Sequence, residues 1–86
     1  MAFVVELAPA ARRQLKKLLR PIQARLFRRL KRLESDPRPQ TAIQLQGTSA
    51  ILYRVREGDY RIIYTVEDER LVVLVVRIAH RSAAYR

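Results

Sequence analysis

Apolar and polar positions alternate with two different periods along this chain, and the change falls near its middle. Residues 2–7 (AFVVEL) form a short, β-branched apolar run that predicts a strand. Pro9 then stands where a first helical residue is expected. Ala11, Leu15, Leu18 and Ile22 recur at helical spacing, but Pro21 interrupts them, which predicts two helices over 9–19 and 21–34 with a tight turn at Arg20-Pro21. The second carries a stripe of Ile22, Leu26, Phe27, Leu30 and Leu33. Ser35-Asp36-Pro37-Arg38-Pro39 ends it and begins an irregular stretch to Gly47. From Leu52 the period becomes two. Tyr53 and Val55 alternate with Arg54 and Arg56, Glu57-Gly58-Asp59 reads as a hairpin turn, and Tyr60, Ile62, Tyr64 and Val66 form the next alternating set. After a second acidic turn at 67–69, Leu71 to Ala79 is the most apolar strand and is expected to be central.

The expected order is β-α-α-β-β-β. It defines an α+β fold in which an N-terminal strand and a helical hairpin pack on one face of a mostly antiparallel sheet. The candidate core is Leu15, Leu18, Ile22, Leu26, Phe27, Leu30, Val72, Leu74, Val76 and Ile78. At 86 residues the chain is expected to be a single domain, residues 1–86. It has no cysteine and one histidine, His80, so no disulfide framework, metal site or cofactor is expected. The longest apolar run is far shorter than the roughly twenty residues of a membrane span, and no secretory signal pattern opens the chain. A cytoplasmic protein with no membrane association is expected.

Charge changes the picture most. Eighteen Lys+Arg against eight Asp+Glu leave +10, and fifteen of the eighteen are arginine. Such a balance points to a polyanion, and arginine in particular forks onto phosphate oxygens where lysine acts as a point charge. A solubilising surface is the plainer reading. Residues 10–33 hold ten bases (Arg12, Arg13, Lys16, Lys17, Arg20, Arg25, Arg28, Arg29, Lys31 and Arg32) and no acid. Pairs at i,i+4, such as Arg12 with Lys16, are therefore like-charged and mildly destabilising, which argues for a use such as binding a phosphate backbone. Side chains two apart on a strand share a face. If the helices cover the Tyr53/Val55/Ile62/Ile78 side, the open face holds Arg54, Arg56, Arg61, Arg77 and, with the strand continued, Arg81. Like charges gathered on one sheet face repel, so this arrangement suggests function. His80 and Tyr85 supply the conventional acid–base and base-stacking groups beside it. Taken alone, His80 is more often a surface or satisfied residue and Tyr85 can fold onto the core; beside the arginines both become candidates.

In that order, Leu45-Gln46-Gly47, Tyr53-Arg54-Val55-Arg56, Gly58-Asp59-Tyr60-Arg61-Ile62-Ile63-Tyr64, the apolar strand, Ala79-His80-Arg81 and Tyr85-Arg86 resemble the RelE/ParE toxin superfamily, and its RelE branch in particular. The resemblance covers nearly the whole chain and implies a microbial-RNase-like fold. It also implies the toxin of a type II toxin–antitoxin system, acting as a ribosome-dependent endoribonuclease on mRNA. Its partners would be the ribosome, mRNA and a small antitoxin with an acidic or amphipathic segment. The cleavage is metal-free: the ribose 2′-hydroxyl attacks the adjacent phosphate in line. The resemblance places Arg61 and Arg81 on the scissile phosphate and Tyr85 on the nucleotide. Arg54 and Arg56 stand where the best-known relative has lysines, one of them proposed as the general base. An arginine keeps its proton at neutral pH. Either His80, with an ordinary pKa near 6.5, is the base, or catalysis rests on electrostatics and positioning. Glu57, next to Arg56, is expected to be structural. Arg12, Arg13, Lys16, Lys17, Arg29, Arg54 and Arg77 are the expected RNA contacts. Two other readings remain: a ParE-like inhibitor of DNA gyrase, and a catalytically silent domain that binds antitoxin or nucleic acid.

Overall fold

The computed structural model describes residues 2–45 and 51–82. Gln46, Gly47, Tyr85 and Arg86 lie outside the described residues. Strand β1 (Val4–Leu7) leads into α1 (Pro9–Lys16), α2 (Arg20–Ser35), β2 (Ile43–Leu45), β3 (Leu52–Glu57), β4 (Tyr60–Glu67) and β5 (Val72–His80). The five strands form one sheet in the order β1-β5-β4-β3-β2. All neighbours are antiparallel except β1, which runs parallel to β5. The architecture is the expected α+β arrangement, with two differences. The stretch after α2 contains a short edge strand, β2, whose three residues are too few to show a period. The middle strand is β4, because β2 adds a strand beyond β3, while β5 is an inner strand with β4 and β1 as neighbours.

Local chemistry explains the two helices. Pro9 opens α1 after an extended Ala8, whose amide donates to the Val75 carbonyl at 2.8 Å. Pro21 falls in the first turn of α2, where its missing N–H is no loss, after an extended Leu19. Gln23 closes the corner by donating its side-chain amide to the Leu18 carbonyl at 2.7 Å. Both helices lie on one face of the sheet and enclose Leu15, Leu26, Leu30, Leu33, Val55, Ile62, Tyr64, Val73 and Val75. Past the end of β1 the edge of β5 is covered by α1, whose Gln14 accepts the Ile78 amide at 2.8 Å. At the far end of α2 the Glu34 carbonyl accepts the Phe3 amide at 2.8 Å, which ties down β1. No helix among the described residues is long and apolar enough to cross a membrane.

The candidate core holds at Leu15, Leu26, Leu30 and Ile78, with Leu18 and Ile22 half-buried against it, while Val72, buried, and Leu74 and Val76, half-buried, lie outside that cluster. Phe27 is a correction: it is 51% exposed, one position beyond the buried stripe of α2. On β5 the alternation itself shifts. Ile63 pairs with Arg77 but Tyr64 pairs with Val75, so a bulge at Val76 changes the phase. Counting back in twos from Ile78 reaches Val76, Leu74 and Val72, whereas the residues that face the helices are Val73 and Val75, both fully buried.

The helix stripe gives a direct test. Leu26 is 1% exposed, so Leu26→Ala should cost about 2–5 kcal/mol, a large share of the stability of so small a domain. Phe27→Ala should change it by less than about 1 kcal/mol. Urea melts of the two variants check this, and an equal loss for both would mean that α2 is rotated from the described position.

Candidate functional site

Burial of Ile62 and Tyr64 under the helices forces the intervening residues of β4 to the opposite face. Register then decides what joins them. Arg54 of β3 lies across from Ile63, and Ile63 from Arg77 of β5. One step along, Arg56 lies across from Arg61, and Arg61 from Ala79. Four arginines, Arg54, Arg56, Arg61 and Arg77, thus share the face away from the helices. Arg56 and Arg77 are exposed, Arg54 is half-buried, and Arg61 is only 4% exposed despite its place on that face.

The fifth expected member, Arg81, follows the end of β5 in a turn. Its amide donates to the Asp59 carbonyl at 2.7 Å, and its Nε lies 3.9 Å from an Asp59 carboxylate oxygen. The chain after β5 is therefore fastened to the β3–β4 hairpin, which sets Arg81 at the end of the arginine face. Gly58 in that hairpin has φ +60°, and a Cβ there would stand 2.6 Å from Nη2 of Arg25. Glycine both fits the left-handed backbone and leaves room for that guanidinium, which pairs with Glu57 at 3.5 Å. Glu57 thus joins the hairpin to α2, in keeping with a structural role.

His80 takes a different position. It lies across from Tyr60, on the side of the sheet that Ile62 and Ile78 share, and meets the Tyr60 ring edge-on at 5.3 Å between centroids. Its Nδ1 accepts the Ser82 amide at 3.3 Å and lies 3.0 Å from Ser82 Oγ. A neutral imidazole that accepts at Nδ1 carries its proton on Nε2. Tyr85 lies outside the described residues.

On the helices, Arg12, Arg13, Lys16 and Lys17 are exposed. Arg29 is not: it is 7% exposed and donates to Thr41 Oγ1 at 3.2 Å. It faces a cleft of about 350 Å³ with Arg32, Thr41, Arg54, Arg56 and Glu57. Sequence reasoning placed Arg29 on an outer helical surface and gave Thr41 no role. The stretch from 35 to 47 shows no period, so nothing in the sequence signals that its part around Thr41 folds back over α2.

That stretch is held by a clamp. Arg38 donates both Nη atoms to the Asp68 carboxylate at 3.1 and 2.6 Å and its Nε to the Tyr53 hydroxyl at 3.1 Å. The Tyr64 hydroxyl donates to the Pro37 carbonyl at 2.8 Å, and burial pushes its pKa up to about 12. The hydrogen bond from Arg38 holds the Asp68 carboxyl below its ordinary range. A carboxyl depressed in the folded state adds stability above its unfolded pKa, and that stability is lost as pH falls through the folded value. The stability difference between the wild type and Asp68→Asn should therefore be constant near neutrality and close only in acid. Urea melts at a series of pH values measure it; a difference that widens on acidification would refute the clamp.

The geometry agrees with four similarities to known proteins. A family model described as the ParE toxin of a type II toxin–antitoxin system, parDE, matches residues 5–85. Toxin RelG of Mycobacterium tuberculosis is 32% identical over 90 residues, covering 100% of this chain and 99% of that protein. Among solved structures, the archaeal RelE–RelB complex from Pyrococcus horikoshii superposes with a TM-score of 0.81 at 30% identity, covering 94% of this chain and 97% of that one. A RelBE toxin–antitoxin complex from Mycobacterium tuberculosis gives 0.83 at 29% identity, covering 94% of this chain and all of its counterpart. With an arginine-lined sheet face and a match over almost its entire length, the chain belongs to the RelE/ParE family of type II toxin–antitoxin toxins, as a RelE-like member.

Proposed function

We propose that this toxin is a ribosome-dependent endoribonuclease that cuts mRNA by in-line attack of a ribose 2′-oxygen. The observation that carries this reading is the meeting of Arg54, Arg56, Arg61 and Arg77 on one sheet face with Arg81 at its end. In the reaction a P–O2′ bond forms and the P–O5′ bond breaks. The 2′ proton passes to solvent water, the 5′ oxygen takes one up from water, and a cyclic phosphate and a free 5′-hydroxyl result. The pentacoordinate intermediate carries extra negative charge on its phosphoryl oxygens, and preorganised guanidinium groups stabilise it more than they stabilise the ground state. Arg61, held in a nearly buried position, and Arg81, fastened to Asp59, suit that task. Arg54, Arg56 and Arg77 hold the strand, and Arg56 adds charge beside Arg61 and accepts no proton. Tyr85 stacks on the nucleotide, as the family resemblance implies.

The position of His80 favours catalysis by charge and alignment over general-base catalysis. Its imidazole shares the Tyr60 side of the sheet, opposite the face that carries Arg54, Arg56, Arg61 and Arg77. The exposed bases Arg12, Arg13, Lys16 and Lys17 contact ribosomal RNA phosphates and give the complex its salt dependence. An antitoxin with an acidic or amphipathic segment neutralises the toxin. The solved relatives that are RelE–RelB complexes support that partner.

The decisive experiment is primer extension on a translated reporter mRNA. Arg61→Ala and Arg81→Ala should each slow cleavage on the order of 100- to 1,000-fold, and His80→Ala less than about tenfold. Lys16→Gln should weaken ribosome binding and lower its salt dependence with a much smaller effect on cleavage once bound. If both arginine variants still cut at the wild-type rate, the assignment of this face is wrong. Growth arrest with DNA breaks and intact mRNA would instead establish the gyrase activity that the ParE name of the family model suggests.

A further inference from the structure

Strand β2 pairs with β3 only from Leu45 opposite Leu52 to Ile43 opposite Arg54. Beyond that point β3 continues to Glu57, and the cleft of about 350 Å³ opens between its edge and α2. Arg29 and Arg32 of α2, Arg54 and Arg56 of β3, and Thr41 line it. The single carboxylate at its rim, Glu57, is already paired with Arg25. No described carboxylate lies within ion-pair distance of any of the four arginines. Arg29 is more than nine-tenths buried with a neutral hydroxyl as its partner, and Arg54 Nε is buried with no hydrogen-bond acceptor among the described residues.

Burying a cation without a counter-anion is destabilising, and like charges at one site add to that cost. An arrangement of this kind is relieved by an anion from outside. Four guanidinium groups around a small cleft match the oxygens of a tetrahedral phosphate. Thr41 Oγ1 accepts from Arg29 and keeps its own proton to donate to an anion oxygen. Ile43 adds an apolar surface at the rim, 49% exposed, against which a ribose can pack.

We propose that this cleft binds one phosphodiester of the RNA strand, adjacent to the phosphodiester held by Arg61 and Arg81. Arg56 joins the two places: it lines the cleft and lies directly across from Arg61. A strand crossing β3 and β4 therefore meets both. The cleft positions the substrate and takes no part in bond breaking. The identity of the strand rests on the RNA-cleavage reading, whereas the affinity of the cleft for a phosphate group does not.

The full-length toxin can be titrated with inorganic phosphate, and with an RNA tetranucleotide that carries a 2′-deoxyribose at the cleavage position. NMR of the arginine Nε–H groups reports the site. Both ligands should shift Arg29 and Arg32, the oligonucleotide at lower concentration. Arg32→Gln, at an exposed position that should fold normally, should weaken oligonucleotide binding roughly tenfold and reduce its salt slope by about one. Thr41→Val should weaken it less. On programmed ribosomes Arg32→Gln should raise the toxin concentration needed for half-maximal cleavage more than it lowers the maximal rate, the reverse of Arg61→Ala. If Arg61→Ala abolishes cleavage while Arg32→Gln leaves affinity and salt slope unchanged, the cleft proposal fails and the cleavage reading stands. Phosphate shifts that vanish in Arg32→Gln, in a wild-type toxin that cuts no mRNA, would keep the anion site and overturn its assignment to RNA. Equal affinity for phosphate and oligonucleotide would overturn that assignment as well. Phosphate that shifts neither Arg29 nor Arg32 would sink the site itself.

Discussion

The basic face exists because Ile62 and Tyr64 are fully buried on the central strand. Both belong to β4, which has a neighbour on each side, and together they lock its phase against the helices. A slip of one residue would carry the guanidinium groups into the core and the apolar set into water. That alternative is far costlier than any repulsion among surface arginines. The core therefore holds like charges together that would separate if the strands were free. Pairing to β3 and β5 extends the constraint sideways, and so sets Arg56 and Ala79 on either side of Arg61.

Repulsion is then managed at the edges. Acidic residues are few, and three of those with described partners hold elements that border the basic region. Asp59 meets Arg81 at the hairpin, Glu57 meets Arg25 beneath it, and Asp68 clamps Arg38 at the opposite end of the sheet. These pairs are exposed or half-exposed and contribute little to stability individually. Their larger effect is on geometry, since they fix the hairpin and the loop that borders the cleft. The interior of the basic region is left without carboxylates among the described pairs, a distribution suited to an anion that arrives from outside.

The bulge at Val76 shows how a single backbone irregularity divides β5 into two functions. Before it, Val73 and Val75 fill the space under the helices. After it, Ile78 continues the core while Arg77 faces outward beside Ile63. Without the shift, residues 73 and 77 would share one face, and the strand could not bury the first while exposing the second.

Much of this was legible in the sequence. Hydrophobic period alone distinguishes the two helices from the strands, because burial on one face requires it. The alternation through β3 and β4 predicts that Arg54, Arg56 and Arg61 share a face, since both strands are regular from turn to turn. Proline chemistry predicts that two helices replace one, though the corner falls at 17–19, before Arg20 and Pro21, which open α2. Tertiary structure decided the rest. Phe27 belongs to the apolar stripe by spacing, yet it is half-exposed outside the core cluster. The phase of β5 depends on a bulge that no apolar pattern reveals, as every residue from Leu71 to Val76 is apolar. Arg29 reads as one more surface base among ten. Only the return of the loop through Thr41 buries it, and that return is set by Arg38, Asp68, Tyr53 and Tyr64, which lie far apart in the chain. Local pattern records which way a side chain points relative to its own element. What it meets there depends on contacts between residues distant in sequence, and those form only when the chain folds.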